Sequence, residues 1–169
     1  MRIVASILAI CLAAGPAMAA PNTCAKEEER SALDTIALKS ELMVTALTCH
    51  MQEKYDAFIT HYQPALSATE KDVSNYFKHA FGRRSVKEHD DYISNLANVQ
   101  SEEGLKMGTA FCETYSAMFD EVESLHSSTE LADFANSKAL IQPVSFETCP
   151  ATPAKATRHL RSKKKHTTA

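Results

Sequence analysis

The chain has 169 residues with a formal net charge of −3, 44 % of them hydrophobic, four of them glycine and none tryptophan. That near-neutral total hides an uneven split. Residues 21–150 carry 11 Lys+Arg against 21 Asp+Glu, whereas residues 151–169 carry six positive charges and no acid. The chain is long enough for one domain with a real core, and beyond its first 20 residues no stretch is long and apolar enough to span a bilayer.

In chain order, residues 1–20 read as a cleaved secretory signal. Met1-Arg2 is a short positive start, and Ile3 to Leu12 is apolar apart from Ser6. Gly15-Pro16 breaks the run, and Ala17-Met18-Ala19 supplies small-x-small cleavage spacing. Cys11 does not make this a lipoprotein signal, because Ile10 precedes it where a small residue is expected. The mature chain is thus expected in the periplasm or outside the cell.

Residues 21–150 show helical period nearly throughout. Glu27-Glu28-Glu29 suits the positive end of a helix dipole. Leu33, Ile36, Ala37, Val44 and Leu47 then form a stripe that Leu38, Leu42, Met43 and Ala46 widen, the pattern of a central, buried helix. Met51, Tyr55, Phe58, Ile59, Tyr62 and Leu66 mark a second helix, weakened at Pro64. Capping-box spacing at Ser67 and Glu70 opens a third, with Val73, Tyr76, Phe77 and Phe81 inward and Gly82 as its stop. Ser85 and Glu88 open a fourth, bearing Val86, His89, Ile93, Leu96 and Ala97.

A fifth helix is expected after Ser101, with Leu105, Gly108, Phe111, Cys112, Tyr115, Phe119 and Val122 inward; a bend near Ser101–Gly104 is left open. Gly104 and Gly108 suggest a close crossing beside the central helix. Ser127 and Glu130 start a short sixth helix, and Gln142 to Pro150 reads as extended. Strand alternation and hairpin turn signals are absent. The fold class is therefore all-α: a compact bundle of five to six helices stabilised by two disulfides. Residues 151–169, with Lys155, Arg158, Arg161, Lys163, Lys164 and Lys165, lack the apolar content to fold and are expected to be a disordered basic tail.

Cys24, Cys49, Cys112 and Cys149 remain after signal removal, an even number in an oxidising compartment. Cys24–Cys49 is disfavoured, because a helix of roughly 30 Å would separate them. Two pairings survive: Cys49–Cys112 with Cys24–Cys149, which we favour, and Cys24–Cys112 with Cys49–Cys149. No two cysteines stand at structural-zinc spacing, no C-x-x-C occurs, and no histidine pair has i, i+4 spacing. No metal or cofactor is expected.

The tail would attract anionic envelope surfaces; without aromatics it does not imply nucleic acid. The other candidate site is polar: His89, Asp91, Tyr92, Asn95 and Asn98. Asp91, Asn95 and Asn98 share one helix face, and with an imidazole nearby they would bind a polar ligand or move a proton. The plainer reading of His89 is a hydrogen-bonded packing residue, since no second group is fixed beside it in sequence.

The runs Leu38-Lys39-Ser40-Glu41-Leu42-Met43-Val44-Thr45-Ala46-Leu47-Thr48-Cys49 and His89-Asp90-Asp91-Tyr92-Ile93-Ser94-Asn95-Leu96-Ala97-Asn98 resemble a group of small exported helical proteins of Gram-negative bacteria with no established activity. The resemblance covers residues 24–150 and implies export and a helical domain; it carries over no catalytic residue. The reading is a non-enzymatic binding module for an unknown protein or envelope component. The alternatives are a ligand-binding or hydrolytic site around His89–Asn98 and, by analogy alone, an envelope stress chaperone.

Overall fold

The computed structural model describes residues 23–150, so the expected signal (1–20) and basic tail (151–169) lie outside the described residues. The described residues are all-α: α1 (Glu27–Cys49), α2 (Gln52–Phe81), α3 (Ser85–Met107), α4 (Ala110–Tyr115), α5 (Ala117–Glu123) and α6 (Ser128–Ser137). Only α1, α2, α3 and α6 exceed two turns, slightly fewer principal helices than the sequence suggests. The described residues contain no strand, only a single parallel bridge between Ala25 and Thr148.

α1 is the central helix. The Glu29 carboxylate accepts the Lys26 backbone N–H at 2.9 Å, satisfying a donor the helix start would leave open. Leu33, Ile36, Leu38, Leu42, Val44 and Ala46 are buried around its circumference, and α2, α3, α4 and α6 pack on it. Leu47, placed in the stripe by spacing, is instead 61 % exposed in the last turn. The helix ends at His50, in the left-handed region at φ 59°.

The second and third expected helices are one continuous α2. Pro64 lies inside it and removes one backbone hydrogen bond. Pro64 and Thr60, whose carbonyl loses that partner, are both exposed, so water can replace it. Phe58, Tyr62, Leu66, Val73 and Phe77 are all buried, on both sides of the proline, and the apolar face they share outweighs one lost bond. Gly82 stops the helix at φ 55°, a conformation costly for a side-chain-bearing residue, and a 3₁₀ turn (Gly82–Arg84) leads into α3.

α3 departs from expectation at both ends and answers the open question of a bend at Ser101–Gly104. Ser85 is its first residue, not a cap, and Glu88 pairs with Arg84 at 3.1 Å. The helix runs straight through Ser101–Gly104 and stops at Gly108, φ 59°. The expected fifth helix is therefore divided among the end of α3, α4 and α5. Leu105, in the last turn of α3, is thus 83 % exposed rather than inward; Val86, in its first turn, is also exposed, at 72 %. Gly104 does mark a close approach, but to α4: an added Cβ would sit 3.4 Å from the Phe111 ring. At the start of α6, Ser127 Oγ accepts the Glu130 N–H at 3.1 Å, while the Glu130 carboxylate accepts the His126 N–H at 2.7 Å.

Two apolar cores lie along α1. The first joins Leu33, Ile36 and Ala37 to Val73, Tyr76, Phe77, Tyr92 and Leu96. The second joins Leu38, Leu42 and Ala46 to Phe58, Tyr62, Leu66, Met118, Phe119, Val122 and Leu131. The segment from Lys138 to Pro150 straps the first. Gln142 donates to Asp34 of α1 (2.7 Å) and accepts the Tyr92 hydroxyl of α3 (2.9 Å). Phe146 packs edge-on against Tyr76 and Tyr92. The Ala25 N–H donates to the Glu147 carbonyl and the Cys149 N–H donates to the Ala25 carbonyl, both at 2.8 Å. Cys24–Cys149 closes the strap, and Cys49–Cys112 ties the end of α1 to α4, the favoured of the two pairings.

Candidate functional site

The five polar residues singled out in the sequence do not converge. Asp91, Asn95 and Asn98 are exposed on the outer face of α3, where the Asp91 carboxylate pairs with Lys87 and raises the lysine pKa by a hydrogen bond. Tyr92 points about a quarter turn away, into the first core. Burial raises its phenol pKa, and its hydroxyl is engaged by Gln142. Helical spacing explains the outcome: residues 91, 95 and 98 share a face, and 92 is turned about 100° from 91. The six tail cations, Lys155, Arg158, Arg161, Lys163, Lys164 and Lys165, lie outside the described residues.

Only His89 reaches a cavity. It is half-buried beside Phe77, with ring centres 5.1 Å apart. With Ile93, Leu96 and Ala97 it forms the α3 wall of a 260 Å³ slot; Ile36, Lys39, Ser40 and Met43 of α1, and Tyr55 and Glu70 of α2, complete it. Lys39 and Glu70 form an ion pair across the slot. Burial, then the Glu70 charge, raise the Tyr55 pKa. Ser40 donates to Gln100 Oε1 at 2.6 Å, and the fully buried Gln100 amide donates to the carbonyls of Ala37 (3.1 Å) and Ile141 (3.3 Å).

A larger cleft of 460 Å³ lies between the first half of α2 and α5. Phe58, Tyr62, Phe119 and Val122 form its floor, and Glu53, Lys54, Ala57, His61 and Glu123 its rim. That volume is within the range of small-molecule sites. The Tyr62 hydroxyl lies 3.1 Å from the Val122 carbonyl and 3.0 Å from that of Leu125, locking α2 to the end of α5. His61 stands edge-on to Tyr62, centroids 4.5 Å apart, and Lys54 pairs with Asp120. The floor residues were legible as core from their spacing. The rim was not: no sequence signal singles out Glu53, Ala57 or His61, which become a rim only when α5 is placed against them.

The second half of α1 also carries buried polar groups. Glu41 is 2 % exposed; burial pushes its carboxyl pKa up to about 7, and the nearby Glu103 charge adds to the rise. One turn on, Thr45 Oγ1 is the one buried side-chain polar atom among the described residues with no hydrogen-bond partner. No group of three or more His, Cys, Asp or Glu among the described residues is arranged to hold a metal ion.

Fold and cavities together define a small disulfide-linked helical domain with an open interhelical cleft. No family model, no curated protein and no solved structure matches the chain.

Proposed function

We propose that the protein is an exported, non-enzymatic binding module that receives its ligand in the cleft between α2 and α5. Export is supported by the signal-like residues 1–20 and by two disulfides, which persist in oxidising compartments. No helix among the described residues is long and apolar enough to cross a membrane. The observation that carries the reading is the 460 Å³ cleft itself, an aromatic floor ringed by charged groups. Its rim groups are placed for contact: Lys54 is held by Asp120, and His61 packs on Tyr62. Residues 151–169 would add an electrostatic contact with an anionic envelope surface.

The test is ¹⁵N NMR with benzyl alcohol and indole as probes. Shifts are expected along Glu53–Tyr62 and Phe119–Glu123. Ala57→Trp, which places an indole in the cleft from an exposed rim position, should abolish them with the helical circular dichroism unchanged. Shifts elsewhere, or shifts that survive Ala57→Trp, contradict the proposal. Deleting residues 151–169 should remove salt-sensitive binding to anionic vesicles and leave the cleft shifts intact.

One observation favours a second reading, a small ligand in the slot at His89: the imidazole lines that cavity beside the Lys39–Glu70 pair. There, His89→Ala would abolish binding that Ala57→Trp leaves unchanged.

A further inference from the structure

We infer that the ligand of the α2–α5 cleft is an organic cation with an apolar or aromatic body, an inference that rests on the binding reading of that cleft. The charge pattern around it is one-sided. Two cations approach α5, and a carboxylate of α5 answers each: Lys54 pairs with Asp120, and Lys138 pairs with Glu121 at 2.8 Å. Glu53 and Glu123, on opposite walls of the cleft, have no ion-pair partner among the described residues. An entering cation would pass between them.

Helix ends modify this without reversing it. Glu53 stands in the first turn of α2, where its charge is partly offset by the positive helix end. Glu123 is the last residue of α5, where its charge adds to the negative end. The attraction is therefore stronger on the α5 wall. Residues 21–150 carry ten more acids than bases, and the chain from residue 21 to 169 still carries four more, so the wider field also draws cations.

The floor selects for the body of the ligand. Phe58 and Tyr62 lie 5.4 Å apart, His61 stands against Tyr62, and Phe119 and Val122 face them from α5. Aromatic faces attract cations through their quadrupole, most strongly when the cation is poorly hydrated. A quaternary or aromatic amine meets both demands. A carboxylate would meet two like charges, and a neutral ring would use only the floor.

Three probes share one aromatic body and differ in charge: benzyltrimethylammonium, benzyl alcohol and phenylacetate. Titrated by NMR against the whole mature chain at low ionic strength, benzyltrimethylammonium should bind at the cleft at least tenfold more tightly than phenylacetate. Glu53→Gln with Glu123→Gln should weaken the cation about tenfold and leave benzyl alcohol unchanged. Ala57→Trp should abolish all three. Equal binding of the three probes at the cleft overturns the cation inference and leaves the binding reading standing. Tighter binding of phenylacetate overturns it too. If none of the three perturbs the cleft, both fail.

Discussion

The two ends of α1 differ in how fully their buried polar groups are paired. Around its first half, the polar groups described are engaged: Glu29 by Lys26 and His79, Thr35 by the Ser31 carbonyl, and Asp34 and Tyr92 by Gln142 of the strap. A ring cluster of Tyr76, Phe77, Tyr92 and Phe146 fills the space between. Around its second half, Glu41 is buried with a raised pKa, Thr45 has no partner, and the core is partly open as a cleft beside α5. Buried polar groups cost little when paired and much when orphaned. The first end is thus organised around paired polar groups, and the second tolerates a carboxyl whose pKa is raised by burial and a hydroxyl with no partner.

The largest expected effects come from the two bridges. Cys24–Cys149 closes a separation of 125 residues and Cys49–Cys112 one of 63. Loop entropy assigns them about 5 and 4 kcal/mol, nearly equal. Replacing each pair by serine and measuring urea midpoints should therefore show two large losses that differ by less than about 1 kcal/mol. A much larger loss from the Cys49–Cys112 pair would mean that the second end is the stiffer one.

Next comes Glu41. Its folded pKa of about 7 lies above the ordinary 4.5, so the folded state binds the proton more tightly than the unfolded chain. The domain should then be most stable in this respect below pH 4.5 and lose stability as pH rises toward and past 7. Glu41→Gln should raise stability at pH 8 by up to about 3 kcal/mol, with no gain at pH 4. A pH-independent gain, or a loss, would contradict a carboxyl whose pKa is raised by burial there.

Gln142→Ala should cost about 2 kcal/mol by freeing both Asp34 and the Tyr92 hydroxyl, measured by thermal unfolding. The smallest effects contrast two threonines of one helix. Thr45→Val removes an orphaned hydroxyl and should stabilise by about 0.5–1 kcal/mol, whereas Thr35→Val breaks a 2.9 Å bond and should cost about the same. Equal signs for the two would erase the difference between the ends.

Much of the fold was legible because its signals are local. Period-3.6 stripes found α1 and both halves of α2, a single residue, Gly82, stopped α2, and the Ser127–Glu130 pair started α6. Pro64 misled because its cost is local and what outweighs it, a shared apolar face on α1, is tertiary. Gly104 and Gly108 lie on one helical pattern, but only Gly108 takes a positive φ, a choice that spacing alone does not reveal. Leu105 and Val86 kept helical period at ends of α3 with nothing packed over them. The candidate site was less legible: one helix face supplied Asp91, Asn95 and Asn98, whereas the cleft draws on Glu53, His61, Phe119 and Glu123 from segments about 60 residues apart in a pattern of helix packing.

Hydrogen exchange on the mature chain, with benzyltrimethylammonium, benzyl alcohol and phenylacetate added in turn, compares the two ends directly. Amides of Phe58–Tyr62 and Met118–Val122 should slow in the presence of at least one probe, the cation most, while those around Tyr76, Tyr92 and Cys149 stay unchanged. Slowing confined to the strapped end, or no change with any probe, would contradict the assignment of the α2–α5 cleft as the ligand site.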